Sequence, residues 1–217
     1  MKALLLLTLL QAQPVGTAQS VAPSPSRADL HVVAGWQNLH QEQSPQSSDN
    51  DWMSDIFYAG VGAGWYWTDH LKSQIDFGAG TEGQKYRYEQ VTIGGNQGYQ
   101  SSRVTVSRQS LAIGQQYQFF RNAWFHPHVG GGVDLARERT TTEFEATTVY
   151  DPVTRVSRQT TPHHTEGPDS RFVARPFVEA GFKAYMTRRA FFTADTRVKF
   201  RGDIDEVLFR FGFGVDF

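Results

Sequence analysis

The last eleven residues of the chain, 207–217, run VLFRFGFGVDF: every odd position from Val207 to Phe217 is apolar, and the even positions include arginine, glycine and aspartate. Successive side chains of a strand point to opposite sides, so a period of two makes a ribbon with one greasy face. One such strand could cover a soluble core. The same pattern returns along the chain, and that recurrence restricts the fold.

Leu30, Val32, Ala34 and Trp36 share one face against His31, Gly35 and Gln37. Phe57, Ala59, Val61, Ala63, Trp65 and Trp67 then oppose Tyr58, Gly60, Gly62, Gly64 and Tyr66. A third strand sets Leu71, Ile75, Phe77 and Ala79 against Lys72, Gln74, Asp76 and Gly78, with Ser73 breaking the apolar side. In the fourth, Gln115 interrupts Leu111, Ile113, Tyr117 and Phe119. The fifth spans Phe125 to Leu135, the sixth Arg171 to Tyr185, the seventh Phe192 to Arg201, and the closing stretch is the eighth.

Connections alternate in length. Segments 67–70, 120–123, 187–190 and 202–206 are short, whereas 41–55, 91–103 and 139–170 are long and polar. Bacterial outer-membrane barrels have an even strand number, short periplasmic turns, longer extracellular loops and strands of about ten residues. With the tight turns at one end, Trp65, Trp67, Tyr117, Phe119, Phe125, Phe192 and Phe217 fall at one level, and Trp36, Phe57, Phe172, Phe200 and Phe209 at the other. Those are two aromatic girdles. The opposite faces carry the charges and most of the glycines, which suits the narrow interior of an eight-stranded barrel. A soluble lipocalin-like barrel would instead turn its apolar face inward.

Composition agrees. The chain opens with Lys2 and an apolar run from Ala3 to Leu10, then Gly16-Thr17-Ala18, the layout of a secretory signal peptide cut after Ala18. The expected organisation is a signal peptide over 1–18, a short periplasmic lead-in over 19–28 and a barrel domain over 29–217. The run is too short to span a bilayer as a helix. There is no cysteine, which removes disulfides, thiol chemistry and cysteine-based metal sites. A net charge of −1 gives nothing to attract nucleic acid.

The signal peptide, the eight alternating strands and the final strand ending on Phe217 resemble the outer-membrane β-barrel family of small OmpA/OmpX-like proteins. The resemblance covers the mature chain nearly end to end. It implies an all-β, eight-stranded antiparallel up-and-down transmembrane β-barrel in the outer membrane of a Gram-negative bacterium. It also implies that Phe209, Phe211, Phe213, Val215 and Phe217 form the assembly signal read by the barrel-assembly machinery. Outer-membrane lipids and lipopolysaccharide are the other implied partners, and a monomer is expected.

Motifs for chemistry are weak. Gly60-Val61-Gly62-Ala63-Gly64 lies inside a strand, without the helix that a dinucleotide loop needs. His126 and His128 share the lumen face and are expected opposite Gln118 and Gln116; His163-His164 lies in the longest loop. Zinc sites use three or four protein ligands, so polar lumen packing is the better account. Counting back from the turn near Arg189 places Glu179 opposite Arg197 and Lys199, and Lys183 beside Asp195, with Arg210 on the same face. Charges inside a dry barrel must neutralise one another, so these six are expected to form a structural lumen network. No catalytic residue, metal site or cofactor is expected. Function is placed in the extracellular loops, as surface binding, adhesion or envelope integrity; the alternatives are a narrow channel for small solutes or a lipid A-modifying enzyme. The stretches 140–150 and 153–161, separated by Asp151-Pro152, are predicted to form a hairpin that continues the fifth and sixth strands.

Overall fold

The computed structural model describes residues 27–40, 52–93, 95–119, 124–151 and 153–217. The expected signal peptide, the lead-in up to residue 26, most of the first long loop and the turn at 120–123 lie outside the described residues. The described chain forms eleven strands: β1 (Ala28–His40), β2 (Trp52–Tyr66), β3 (Leu71–Gly80), β4 (Gly83–Ile93), β5 (Asn96–Gln118), β6 (Phe125–Phe144), β7 (Thr147–Asp151), β8 (Val156–Thr161), β9 (His164–Tyr185), β10 (Ala190–Arg201) and β11 (Asp203–Asp216).

Eight of them close a ring. β1 pairs with β2, β2 with β3, β3 with β5, β5 with β6, β6 with β9, β9 with β10, β10 with β11, and β11 returns to β1, each pair antiparallel. This is the predicted eight-stranded up-and-down barrel, which leaves the ring without a sheet edge. At the seam, Leu30 lies opposite Val215, Val32 opposite Phe213 and Trp36 opposite Phe209. Two of the short turns use one device: the Thr68 hydroxyl accepts from the N–H groups of His70 and Leu71, and the Thr187 hydroxyl from those of Arg189 and Ala190. Between β10 and β11 the whole connection is Gly202, whose φ of 92° favours a residue without a Cβ.

The alternation sets the faces. Leu30, Val32, Val61, Ile75, Phe77, Ile113, Val133, Phe211 and Phe213 project outward and are exposed, while Asp76, Asp134, Arg197, Lys199 and Glu206 are buried inside. A water-soluble fold inverts that arrangement. Both girdles point outward as predicted, with Trp67 and Phe172 among the most exposed of their members. The narrow lumen uses glycine where a side chain of the neighbouring strand arrives. A Cβ on Gly78 would lie 2.0 Å from the Tyr58 hydroxyl, and one on Gly62 would lie 2.1 Å from Asp76 Oδ1. Two aromatic rings, Phe177 and Phe191, also point inward and are buried.

The long connections do not form the plain loops expected at 91–103. β4 and β5 make a hairpin paired from Gly83–Val106 to Ile93–Asn96. β5 therefore pairs with β3 along its lower half and with β4 along its upper half. Along β4 residues 84–90 alternate between exposed and half-buried, so the sequence there alternates between two polar classes and gives little hydrophobic contrast. β6 and β9 also run on together, up to Phe144–His164. The hairpin expected over 140–150 and 153–161 is shorter: residues 140–144 stay in β6 and pair with β9, and only β7 and β8 form the hairpin, which pairs with β5 through Gly98–Val149. Asp151 closes its tip: Oδ2 accepts from the Thr154 hydroxyl at 2.8 Å and Oδ1 from the Val153 N–H at 2.9 Å.

Candidate functional site

Two regions carry polar chemistry, the lumen and the sheet above it. Inward positions on β1, β3, β5, β6, β9, β10 and β11 stack their charges in three layers. Nearest the short turns, Lys183 Nζ donates to Asp216 Oδ1 at 2.6 Å, Tyr66 Oη at 2.8 Å and Asp29 Oδ2 at 3.2 Å. Lys72 adds a bond to Asp29 at 3.3 Å. The Phe191 ring lies 3.6 Å from the Lys183 ammonium, a cation–π contact that partly replaces lost hydration.

In the middle layer Arg197 holds Glu179 through Nε at 3.1 Å and Nη2 at 2.7 Å, and reaches Asp76 at 2.6 Å. Arg210 bridges Asp195 at 2.8 Å, Asp76 at 3.0 Å and Glu179 at 3.4 Å. Gln74 donates to the other oxygen of Glu179, and His31 Nε2 lies 3.0 Å from Asp76. Phe177 covers the Arg197 guanidinium at 4.2 Å. At the loop end, Lys199 pairs with Asp134 and with Glu206, each at 2.9 Å. Arg108 is clamped between Glu138 and Glu206, and Arg175 between Glu138 and Asp205. Arg171 caps Glu138 at 2.8 Å from a more exposed position.

Of the pairings expected from sequence, Glu179 with Arg197 is present, and the register places them directly opposite. Lys199 instead stands opposite Phe177, two residues further up, and turns to Asp134 and Glu206. Lys183 lies opposite Thr193 rather than beside Asp195, and pairs with Asp29 and Asp216 across the seam. Counting from a turn orders residues along two adjacent strands, but a long side chain in a narrow barrel also reaches strands on the far wall. His128, expected opposite Gln116, faces Gln118, a shift of two residues. Among the described residues no group of three or more histidines and carboxylates is placed to hold a metal ion.

The lumen has little free space at mid-height. A cavity among His31, Gln74, Gln116, His128 and Arg210 measures about 20 Å³, room for one water. More space opens at the loop end, in a cavity of about 480 Å³. Its inward-facing apolar neighbours Leu39, Met53, Ile56, Val104 and Val106 form a buried cluster that the sequence did not single out, since inward positions were read as polar.

No protein-family model and no curated protein matches the sequence. Solved structures do match. Neisserial surface protein A superposes with a TM-score of 0.51 at 14% identity, covering 88% of this chain and 97% of that one. The attachment invasion locus protein Ail of Yersinia pestis gives 0.49 at 9% identity over 88% and 99%, and the outer-membrane protein OprG of Pseudomonas aeruginosa 0.49 at 12% over 88% and 97%. At such identities the shared property is the fold: the chain has the architecture of a small eight-stranded outer-membrane β-barrel.

Proposed function

We propose that the protein is a noncatalytic integral outer-membrane barrel whose loop-end sheet is a surface-binding element. The observation that carries this reading is the continuation of β5, β6 and β9 as one paired sheet beyond the outward apolar band. At about 3.4 Å per residue, the stretch from Asn96 to Gln109 runs roughly 45 Å along the strand beyond that band. With β4 and β7 paired to it, this sheet presents Tyr86, Tyr88, Tyr99 and Tyr150 as exposed rings, the kind of residue that gives contact area at low entropic cost. The belt of outward apolar side chains supports burial in membrane lipid, with lipopolysaccharide around the loop end. The paired charges and the small mid-lumen cavity argue against a channel.

Cells carrying the protein with 145–163 exchanged for a short glycine turn should keep the folded barrel, seen as heat-modifiable gel migration, and lose adhesion to host or abiotic surfaces. Unchanged adhesion would remove the binding role. An epitope inserted at position 152 should be labelled by antibody on intact cells and one at Arg188 should not; the reverse would invert the orientation.

A further inference from the structure

The outer wall near the short turns combines a polar break with an apolar groove, and neither belongs to the lumen network or to the projecting sheet. Alternation turns Ser73 of β3 and Gln115 of β5 toward the lipid side, and the register sets Trp65 opposite Ser73 and Tyr117 opposite Leu71. The pair therefore sits at the depth of the turn-end girdle. The Ser73 hydroxyl oxygen accepts from Trp67 Nε1 and from Gln115 Nε2. Both of its lone pairs are then in use, which leaves the Ser73 O–H and the second Gln115 N–H without an acceptor among the described residues. Turning the Gln115 amide over only moves the deficit, because Ser73 then donates to the amide oxygen and both amide N–H groups are left. Away from water such donors are costly until something accepts from them. Beside the pair lies a groove of about 410 Å³, bordered by Ser73 and lined by Leu30, Ala63, Trp65, Ile75, Ile113 and Phe217. Leu30, Ala63 and Ile75 also line a larger groove of about 720 Å³, which continues over Val32 and Val61, further from the turns.

We infer that this groove holds one phospholipid of the turn-end leaflet, with an ester carbonyl of its glycerol backbone accepting from Ser73 and Gln115 and the attached acyl chain lying over Leu30, Ala63 and Ile75. The missing partner must be an acceptor on the lipid side of the wall. A bilayer supplies one there, since interfacial aromatic rings sit at headgroup level, where the ester groups join the chains. The groove starts at that polar pair and runs toward mid-membrane, the direction an acyl chain takes from its ester. The site rests on the outward band facing lipid and not on adhesion, so removing the projecting hairpin leaves it intact.

Dipalmitoyl phosphatidylethanolamine is the probe, and its dihexadecyl ether analogue, which lacks both carbonyls, is the counterpart. Each is titrated into the folded barrel in detergent, and lipid-bound and lipid-free protein are resolved by native mass spectrometry. One diester molecule is expected to bind saturably, about fivefold more tightly than the diether, the worth of one neutral hydrogen bond. The double variant Ser73→Ala with Gln115→Leu should bring the diester down to the diether affinity and leave the diether no weaker. Ala63→Phe, which fills the groove and keeps the polar pair, should weaken both lipids. Equal affinity of the wild type for the two lipids, binding that does not saturate at one molecule, or a dimer that takes up no lipid would each overturn the assignment. So would an undiminished diester preference in the folded double variant, or unchanged affinities in a folded Ala63→Phe barrel. The wild-type comparison needs no variant and decides alone if neither variant folds.

Discussion

Gln115 Nε2 donates to Ser73 Oγ at 2.7 Å on the outer wall of the barrel, where the two residues stand directly opposite on β5 and β3. They are two of the breaks in the outward apolar pattern, 42 residues apart in sequence, and they are bonded to one another. Trp67 Nε1 donates to the same hydroxyl at 2.7 Å, which ties the pair to the turn-end girdle. Ser73→Ala should cost about 1 kcal/mol by removing the shared acceptor. In the double variant Ser73→Ala with Gln115→Leu the loss should be smaller than the sum of the singles, read from urea midpoints in lipid vesicles. Strict additivity would mean that the bond contributes nothing.

Glu179 is the shared anion of the middle layer, held by Arg197, Arg210 and Gln74. Glu179→Ala leaves two buried guanidinium groups under-compensated, so a loss of about 3–5 kcal/mol is expected in equilibrium unfolding. Lys199 does not contact it, and the Asp134–Lys199 pair should couple to Glu179 by less than about 0.5 kcal/mol in a double-mutant cycle. Planar-bilayer recordings of the wild type should show no steady conductance, because the paired side chains fill the lumen.

Phe217 closes the seam through its backbone: its N–H donates to the Ala28 carbonyl at 2.9 Å, and its own carbonyl oxygen accepts from Arg27 and Ala28 at 3.1 Å. Its ring faces outward at the girdle. Phe217→Glu places a charge there and alters the terminal position of the expected assembly signal, so the folded fraction in membranes should fall severalfold. Normal abundance and heat-modifiable migration would count against it.

The Asp151 carboxyl is held below its usual range, first by the Thr154 hydroxyl and then by the Val153 N–H. A depressed carboxyl stabilises the fold above its unfolded value, about 3.9, and that contribution is lost as pH falls through the lower folded value. Amide protection factors at Val153 and Thr154, corrected for the intrinsic exchange rate, should therefore fall on acidification below about pH 4, and Asp151→Asn should flatten that response. The barrel strands should not share it.

Sequence made the barrel legible because a membrane barrel puts its contrast on alternate residues, and the ring strands follow that rule from Leu30 to Phe217 with few exceptions. It failed where the contrast disappears. In β4, Lys85, Tyr86, Arg87 and Tyr88 alternate between two polar classes, and only Gly94-Gly95 marks the reversal, a turn signal that was open to view. Face assignments located the lumen charges but not all their partners, since Lys183 bonds to Asp29, 154 residues away. Phe177 and Phe191 show the opposite gap: parity turns them inward, whereas their chemistry suggests the lipid side.

The double role of β5 has a mechanical consequence. Its lower half belongs to the wall and its upper half to the projecting sheet, with no joint between them across 23 residues. A load applied at the β7–β8 tip is directed along β5, β6 and β9, whereas their ladder bonds run across the strands. Tension therefore meets many hydrogen bonds in shear at once instead of peeling them singly. The projection and its membrane anchor form one tether, strongest along its own axis.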